Sequence, residues 1–356
     1  MSGRYTVVGA GAIGGTLAAH LHRAGHDVDV VDADPGHVAA IRSDGLRLRH
    51  PGGDETVVRV PAALPGPDAG ELGAVLLAVK AQATGAALDW IAPRLAPDGW
   101  VVSLQNGLNE DGIAARIGAG RTVGAFVNLF ADVEEPGMIR DGGRGALVVG
   151  ETDGRRSDRV DRLVADLQAW GPAQATGNVT GFLWSKLAFG SMLTATALAD
   201  APMARLIDRH RAVMHRLARE VLAVARVRGI SPEPFDHWDP GCYLAGSDLD
   251  GVDPDGVDPG GEGRETAGDD DRATDRLVAW LETMPKDRSG IWRDIAVRRR
   301  PVEVHDHYRP VLAAADEARV GVPVLRTLLA RLADVEQGRA PMSEEHLRAL
   351  GERGAG

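Results

Sequence analysis

The stretch VVGAGAIGG, residues 7–15, decides the fold. Its centre is Gly9-Ala10-Gly11-Ala12-Ile13-Gly14, a G-x-G-x-x-G. The run RYTVVGAG (4–11) reads as a buried strand, and AIGGTLAAHLHRAG (12–25) reads as a helix ending at Gly25. The motif thus lies where a strand turns into a helix, the setting that gives it meaning. Gly9 permits the tight turn, Gly11 lets a pyrophosphate approach the backbone, and Gly14 lets helix and strand pack closely. The helix start, at Ala12 and Ile13, offers free N–H groups and a partial positive charge to an anion. A plain glycine-rich turn is the competing reading. Asp32 closes the next strand, DVDVVDAD (27–34), 18 residues after Gly14. A carboxylate there accepts hydrogen bonds from the ribose hydroxyls of NAD and repels a 2′-phosphate, and no arginine follows until Arg42. NAD(H) is therefore the preferred cofactor, with NADP(H) as the other candidate. Asp32 or Asp34 could instead cap the turn at ADPG.

Outward from this motif, AVLLAVKA (74–81), WVVSLQNG (100–107) and TVGAFVNLF (122–130) are further apolar strands of the kind buried on both faces of a parallel sheet. Strands alternating with helices indicate a doubly wound α/β domain over residues 1–175. Beyond that the β-rich runs give way to helical patterns at 181–199, 203–229, 274–284, 290–299, 302–318 and 324–337. Pro202, Pro285 and Pro323 punctuate them. An all-α domain is expected over 176–345, followed by a tail at 346–356.

The chain has 356 residues and a net charge of −11. Residues 236–275 hold 13 acidic residues against two arginines, so the rest is balanced at 38 of each sign. This Gly-, Pro- and Asp-rich segment reads as a long solvated loop. Its DLDGVDPDG resembles a calcium loop. With Asp248 at position 1, however, Pro259 stands where the glutamate of position 12 is needed. No basic stripe points to nucleic acid, and no apolar run is long enough to cross a membrane. The single cysteine, Cys242, allows no internal disulfide and fits a reducing cytoplasm.

Only three of the 40 basic residues are lysines: Lys80, Lys186 and Lys286. Lys186 lies in the apolar run FLWSKLAFGS (182–191). The ordered set VGAGAIGG, AVKA, LQNG, WSKL and WRDIAVRRRPVEV resembles the ketopantoate reductase (2-dehydropantoate 2-reductase) family along nearly the whole chain. The resemblance implies a Rossmann domain followed by a helical domain of the 6-phosphogluconate dehydrogenase type, with the active site in the cleft between them. It implies a small-molecule keto or hydroxy acid as substrate, and a homodimer. It makes Lys186 the proton donor to the substrate oxygen, places Asn106 near the nicotinamide and Lys80 along the cofactor cleft, and has Glu303 hold a substrate hydroxyl. Lysine suits position 186 because an ammonium stabilises charge developing on a ketone oxygen and can then deliver a proton, whereas arginine stays protonated. A lysine whose stem merely covers Trp184 is the bland alternative. Asn106-Gly107 could equally be a simple turn, and Lys80 a solvated strand end.

Four departures separate the chain from that pattern. Gly190 and Thr194 stand on the Lys186 helix face where the family carries asparagines. Glu303 lies one residue beyond the usual spacing from Asp294, and Gly290, with Ser289 beside it, replaces a substrate-binding serine. The acidic segment 236–275 falls in the substrate domain. Asp32 stands where NADP-using members place a basic residue. These bear on the substrate and leave the reductase chemistry in place. A dehydrogenase for another keto or hydroxy compound, and a nucleotide-binding protein without catalysis, are the alternatives. His305 and His307, two apart, do not share a helix face, so no metal site is expected there.

Overall fold

The structure is a computed structural model and describes residues 4–143, 145–244, 269–284 and 286–352. The middle of the acidic segment with its calcium-like loop, Pro285, and the end of the expected tail lie outside the described residues. The chain divides into two compact units, one up to Thr180 and one from Gly181.

The first unit carries twelve strands among its described residues: β1 (Tyr5–Val8), β2 (Val28–Val31), β3 (Leu46–Arg49), β4 (Glu55–Val58), β5 (Ala62–Ala63), β6 (Leu72–Leu77), β7 (Leu95–Ser103), β8 (Thr122–Asn128), β9 (Ala131–Glu135), β10 (Met138–Asp141), β11 (Ala146–Glu151) and β12 (Ala173–Ala175). Its helices are α1 (Ala12–Arg23), α2 (Pro35–Asp44), α3 (Thr84–Ile91), α4 (Glu110–Ile117) and α5 (Asp158–Leu167). Eight strands form one sheet in the order β12-β11-β8-β7-β6-β1-β2-β5. It is parallel except where β11 runs antiparallel to β8. This is the doubly wound architecture expected from the alternation of apolar runs and helices. All four residues of β1 are buried, as a strand covered on both faces requires. The chain winds one way from β1 to β2 and the other way from β6 onward, so the switch of direction falls between β1 and β6.

A second sheet of four strands, in the order β4-β3-β10-β9, is not announced by the sequence. Its strands are charged and only part-buried, as in Arg47 and Arg49 on β3, so no continuous apolar run announces them. It packs on α1, where a Cβ at Gly15 would lie 2.2 Å from Ile139 of β10.

The second unit is helical: α6 (Val179–Thr196, beginning in the last residues of the first unit), α7 (Met203–Arg209), α8 (Arg211–Val227), α9 (Gly241–Leu244), α10 (Asp269–Glu282), α11 (Gly290–Ala296), α12 (Val304–Ala318), α13 (Pro323–Glu336) and α14 (Glu345–Glu352). The helix expected over 203–229 is broken at His210, whose backbone leaves the helical region (φ −117°, ψ 36°). The last helix, α14, occupies residues taken as tail; Leu347 and Leu350 bury its apolar side. α8 is the central helix, with α9, α12, α13 and α14 against it. Its buried Glu220 accepts hydrogen bonds from the Val324 and Leu325 amides at 3.0 and 2.8 Å, and so caps α13.

Candidate active site

Sheet topology brings four turns to the carboxyl edge of the first unit. Gly9 follows β1 with φ +97°, and a Cβ there would lie 2.7 Å from the Val79 amide just past β6. Only glycine allows this approach. Gly14 has the same kind of constraint: its Cβ would sit 1.8 Å from the Gly9 carbonyl oxygen. Gly11 differs, because nothing lies within 4 Å of its missing Cβ. The protein itself does not need glycine there, and the open space lies at the start of α1. That helix has no side-chain cap and no acidic residue in its first turn. Its free amides therefore face outward, ready for an anion. These residues fit the pyrophosphate of a dinucleotide.

Asp32 is engaged on both oxygens. Oδ2 accepts from the Ala10 amide at 2.6 Å and Oδ1 from the Asp34 amide at 2.8 Å. Each oxygen keeps a second lone pair for an incoming hydroxyl. Asp34 rather than Asp32 caps α2, accepting from the Gly36 and His37 amides. The Ala10 carbonyl is held from the other side by His37 Nε2 at 2.8 Å. Because His37 Nδ1 accepts from the Gly137 amide at 3.0 Å, the ring proton resides on Nε2. One residue of the glycine loop is thus fixed at both its backbone groups.

Lys80 and Asn106 are exposed and lie beyond their strands, which end at Leu77 and Ser103. Gln105 ties their turns together, donating to the Val79 carbonyl at 2.8 Å and to Thr84 Oγ1 at 2.7 Å. Asn109 donates through Nδ2 to the Asn106 carbonyl at 2.8 Å, and its amide donates to Glu110 Oε2 at 3.0 Å. Glu110 is buried, and burial pushes its carboxyl up to about 7 against the hydrogen bonds it receives. Neither Gln105 nor Glu110 stood out in the sequence. The only trace was a polar pair beside an apolar strand.

In the second unit, Lys186 sits on α6, partly covered. Burial brings its ammonium down to about 8, and the Asp236 carboxylate opposes that shift. Nothing in the sequence singles out Asp236 from the acidic segment it opens. Gly190 is a packing position: a Cβ there would meet the Tyr308 hydroxyl at 3.2 Å, and that hydroxyl donates to the Leu187 carbonyl at 2.7 Å. Thr194 is buried, and its hydroxyl donates to the Gly190 carbonyl at 2.8 Å. Ser289 is buried and caps α11, accepting from the Trp292 amide at 3.2 Å. Thr194 thus gives its proton to its own helix, while Ser289 accepts from the helix it caps and keeps its own O–H as a donor. Glu303 immediately precedes α12 and its carboxylate lies 3.6 Å from His307 Nε2. His305 turns instead to Glu336 at 3.4 Å, so the two histidines serve different carboxylates. His215, Asp270 and Asp271 come together elsewhere, where Arg219 and Arg211 already pair with the two carboxylates.

The chain matches the ketopantoate reductase PanE/ApbA family over residues 5–154 and that family's C-terminal domain over 178–336. It belongs to the ketopantoate reductase family. A 2-dehydropantoate 2-reductase of Mesorhizobium japonicum is 33% identical over 256 residues, covering 64% of this chain and 77% of the relative. The crystal structure of a PanE/ApbA family ketopantoate reductase from Ralstonia eutropha JMP134 superposes with a TM-score of 0.75 at 27% identity, covering 95% and 99% of the two chains. D-mandelate dehydrogenase with NADH and anilino(oxo)acetate shares the fold, with a TM-score of 0.77, 18% identity, and coverage of 94% and 99%. The ketopantoate reductase family assignment makes this chain an NAD(P)H-binding oxidoreductase. Among the described residues no helix is long and apolar enough to cross a membrane.

Proposed function

We propose that the protein is an NAD(H)-dependent reductase of a 2-oxo acid, working in the cytoplasm, with Lys186 as the proton donor. The observation that carries this reading is the partly covered Lys186, whose ammonium is brought to about 8 by burial. An ammonium near neutrality holds its proton at rest and gives it up to a developing alkoxide. Gly9, Gly11, Ala12, Ile13 and Gly14 hold the dinucleotide phosphates, Asp32 takes the ribose, and Lys80 and Asn106 line the nicotinamide side. Bound nicotinamide dinucleotide supplies the hydride. Glu303 accepts a hydrogen bond from a substrate hydroxyl and orients the acid.

A second reading of the substrate is favoured by α6. Thr194 spends its hydroxyl on Gly190, and Tyr308 closes over Gly190. That helix face offers a ligand less polar recognition than the asparagines of the family pattern. A keto acid with a less polar tail than ketopantoate fits this better. The test follows nicotinamide absorbance with NADH, ketopantoate and a panel of 2-oxo acids, using wild type and Lys186→Ala. Turnover lost in Lys186→Ala with NADH binding intact supports the mechanism. Undiminished turnover in that variant rules it out. Ketopantoate turned over as fast as any panel member rules out the less polar substrate.

A further inference from the structure

Residues 233–238 run alongside α6 and are fastened to it on both sides of Lys186. The Glu233 amide donates to the Gly181 carbonyl at 3.3 Å, five residues before the lysine. Phe235 and Trp238 pack on Phe189, three residues after it, with ring centroids 6.1 and 5.5 Å away. Residues three apart on a helix share a face, so Phe189 docks this segment on the side that carries Lys186. Between the two fastenings the chain makes a tight turn. Phe235 and Trp238 exchange both backbone hydrogen bonds, at 3.0 and 2.8 Å, and Asp236 occupies the tip. Both flanking aromatics are buried, and Trp238 stacks on Tyr243 at 4.4 Å. Asp236 takes φ +46°, a conformation that L-residues other than Asn and Asp seldom adopt and that persists where the surroundings dictate it. An aromatic platform thus holds an exposed carboxylate on the segment docked along the helix that carries Lys186.

We propose that Asp236 is the counter-ion of Lys186, a positioning residue that holds the ammonium where it acts. Several titratable groups on this segment and on α12 have partners of their own: Asp239 the Gly241 amide, His305 Glu336, and Asp306 Arg309. Glu233 and His237 share the segment, and His237 stacks on Trp280 at 5.3 Å. From α12 come Tyr308, whose hydroxyl is bound to Leu187 and held neutral by burial, and the Glu303–His307 pair. The Asp236 carboxylate favours the charged form of Lys186 and so acts on it as a counter-charge. Its importance for turnover rests on the reading of Lys186 as proton donor; the ion contact itself does not.

The scarcity of lysine makes a direct test practical. Reductive methylation of the full-length protein with ¹³C-formaldehyde labels Lys80, Lys186, Lys286 and the amino terminus, and Lys80→Arg and Lys286→Arg assign the signals. Titration by NMR then gives the Lys186 midpoint in wild type, Asp236→Asn and Asp236→Glu. Removing an opposite charge favours the neutral amine, so Asp236→Asn lowers the Lys186 midpoint, by about half a unit or more. Lys80 and Lys286 stay unmoved, and Asp236→Glu restores the wild-type value. An unmoved Lys186 midpoint in Asp236→Asn overturns the proposal. So does a midpoint that falls equally in Asp236→Glu, since turn geometry and not charge would then be responsible. In turnover assays the alkaline limb of the reduction rate moves down with the NMR midpoint. A midpoint that moves while the limb stays put leaves the ion contact standing and refutes Lys186 as the donor.

Discussion

Replacing Glu110 by glutamine should stabilise this protein, and more so at alkaline pH. The carboxyl is buried at the start of α4, and burial raises it from an ordinary 4.5 to about 7. A group raised on folding leaves stability intact below its unfolded value and removes it as pH climbs through its folded value. The loss therefore accumulates between about pH 4.5 and 7. Moving from 4.5 to about 7 makes the full loss roughly 3 to 4 kcal/mol. By pH 5.5 about 1 kcal/mol of it has been felt, and by pH 8.5 nearly all. Glutamine keeps an acceptor for the Asn109 amide and removes the charge. The advantage of Glu110→Gln should thus grow by ~2 kcal/mol between those two pH values. Urea unfolding followed by circular dichroism at pH 5.5 and 8.5 measures it. Equal differences at both pH values would refute the buried-acid argument.

Other substitutions probe other links. Gly14→Ala places a methyl 1.8 Å from the Gly9 oxygen and should abolish NADH binding by fluorescence titration, with the helical content of the second unit retained. Glu220→Ala strips the α13 cap of two hydrogen bonds to a buried carboxylate and should cost ~2 kcal/mol in urea unfolding. Tyr308→Phe removes one buried hydroxyl and should cost ~1 kcal/mol, while leaving room at Gly190 for a methyl group. The double variant Gly190→Ala with Tyr308→Phe should then be no less stable than Tyr308→Phe alone.

Five strands of the main sheet, and the helix after the first of them, were legible because their residues obey local rules. β1 ends on Val7-Val8 and is buried throughout, and the glycine motif sits directly between strand and helix. The second sheet was not legible because its strands pair across the chain, β3 with β10, and each is short and charged. Lys186 was conspicuous as a lysine in an arginine-rich chain. Asp236 was hidden because it lies 50 residues away in an acidic segment, and only the docking of Phe235 and Trp238 on Phe189 brings it to α6. Sequence alone also leaves open what the Thr194 and Ser289 hydroxyls bond. A hydroxyl on a helix face looks the same in sequence whether it faces out or bonds the carbonyl four residues back, and a serine before a helix is first of all a cap.

The double hold on Ala10 has a consequence for anyone wishing to alter cofactor choice. Asp32, our proposed ribose ligand, is also the anchor of the glycine-loop amide, while His37 pins the carbonyl from behind. Recognition and rigidity are thus written into one carboxylate. Exchanging it for a small neutral residue to admit a 2′-phosphate would also release the loop, and the ordering lost there would be charged against every dinucleotide alike. A redesign that succeeds will have to supply a new acceptor for the Ala10 amide before it supplies a new cation for the phosphate.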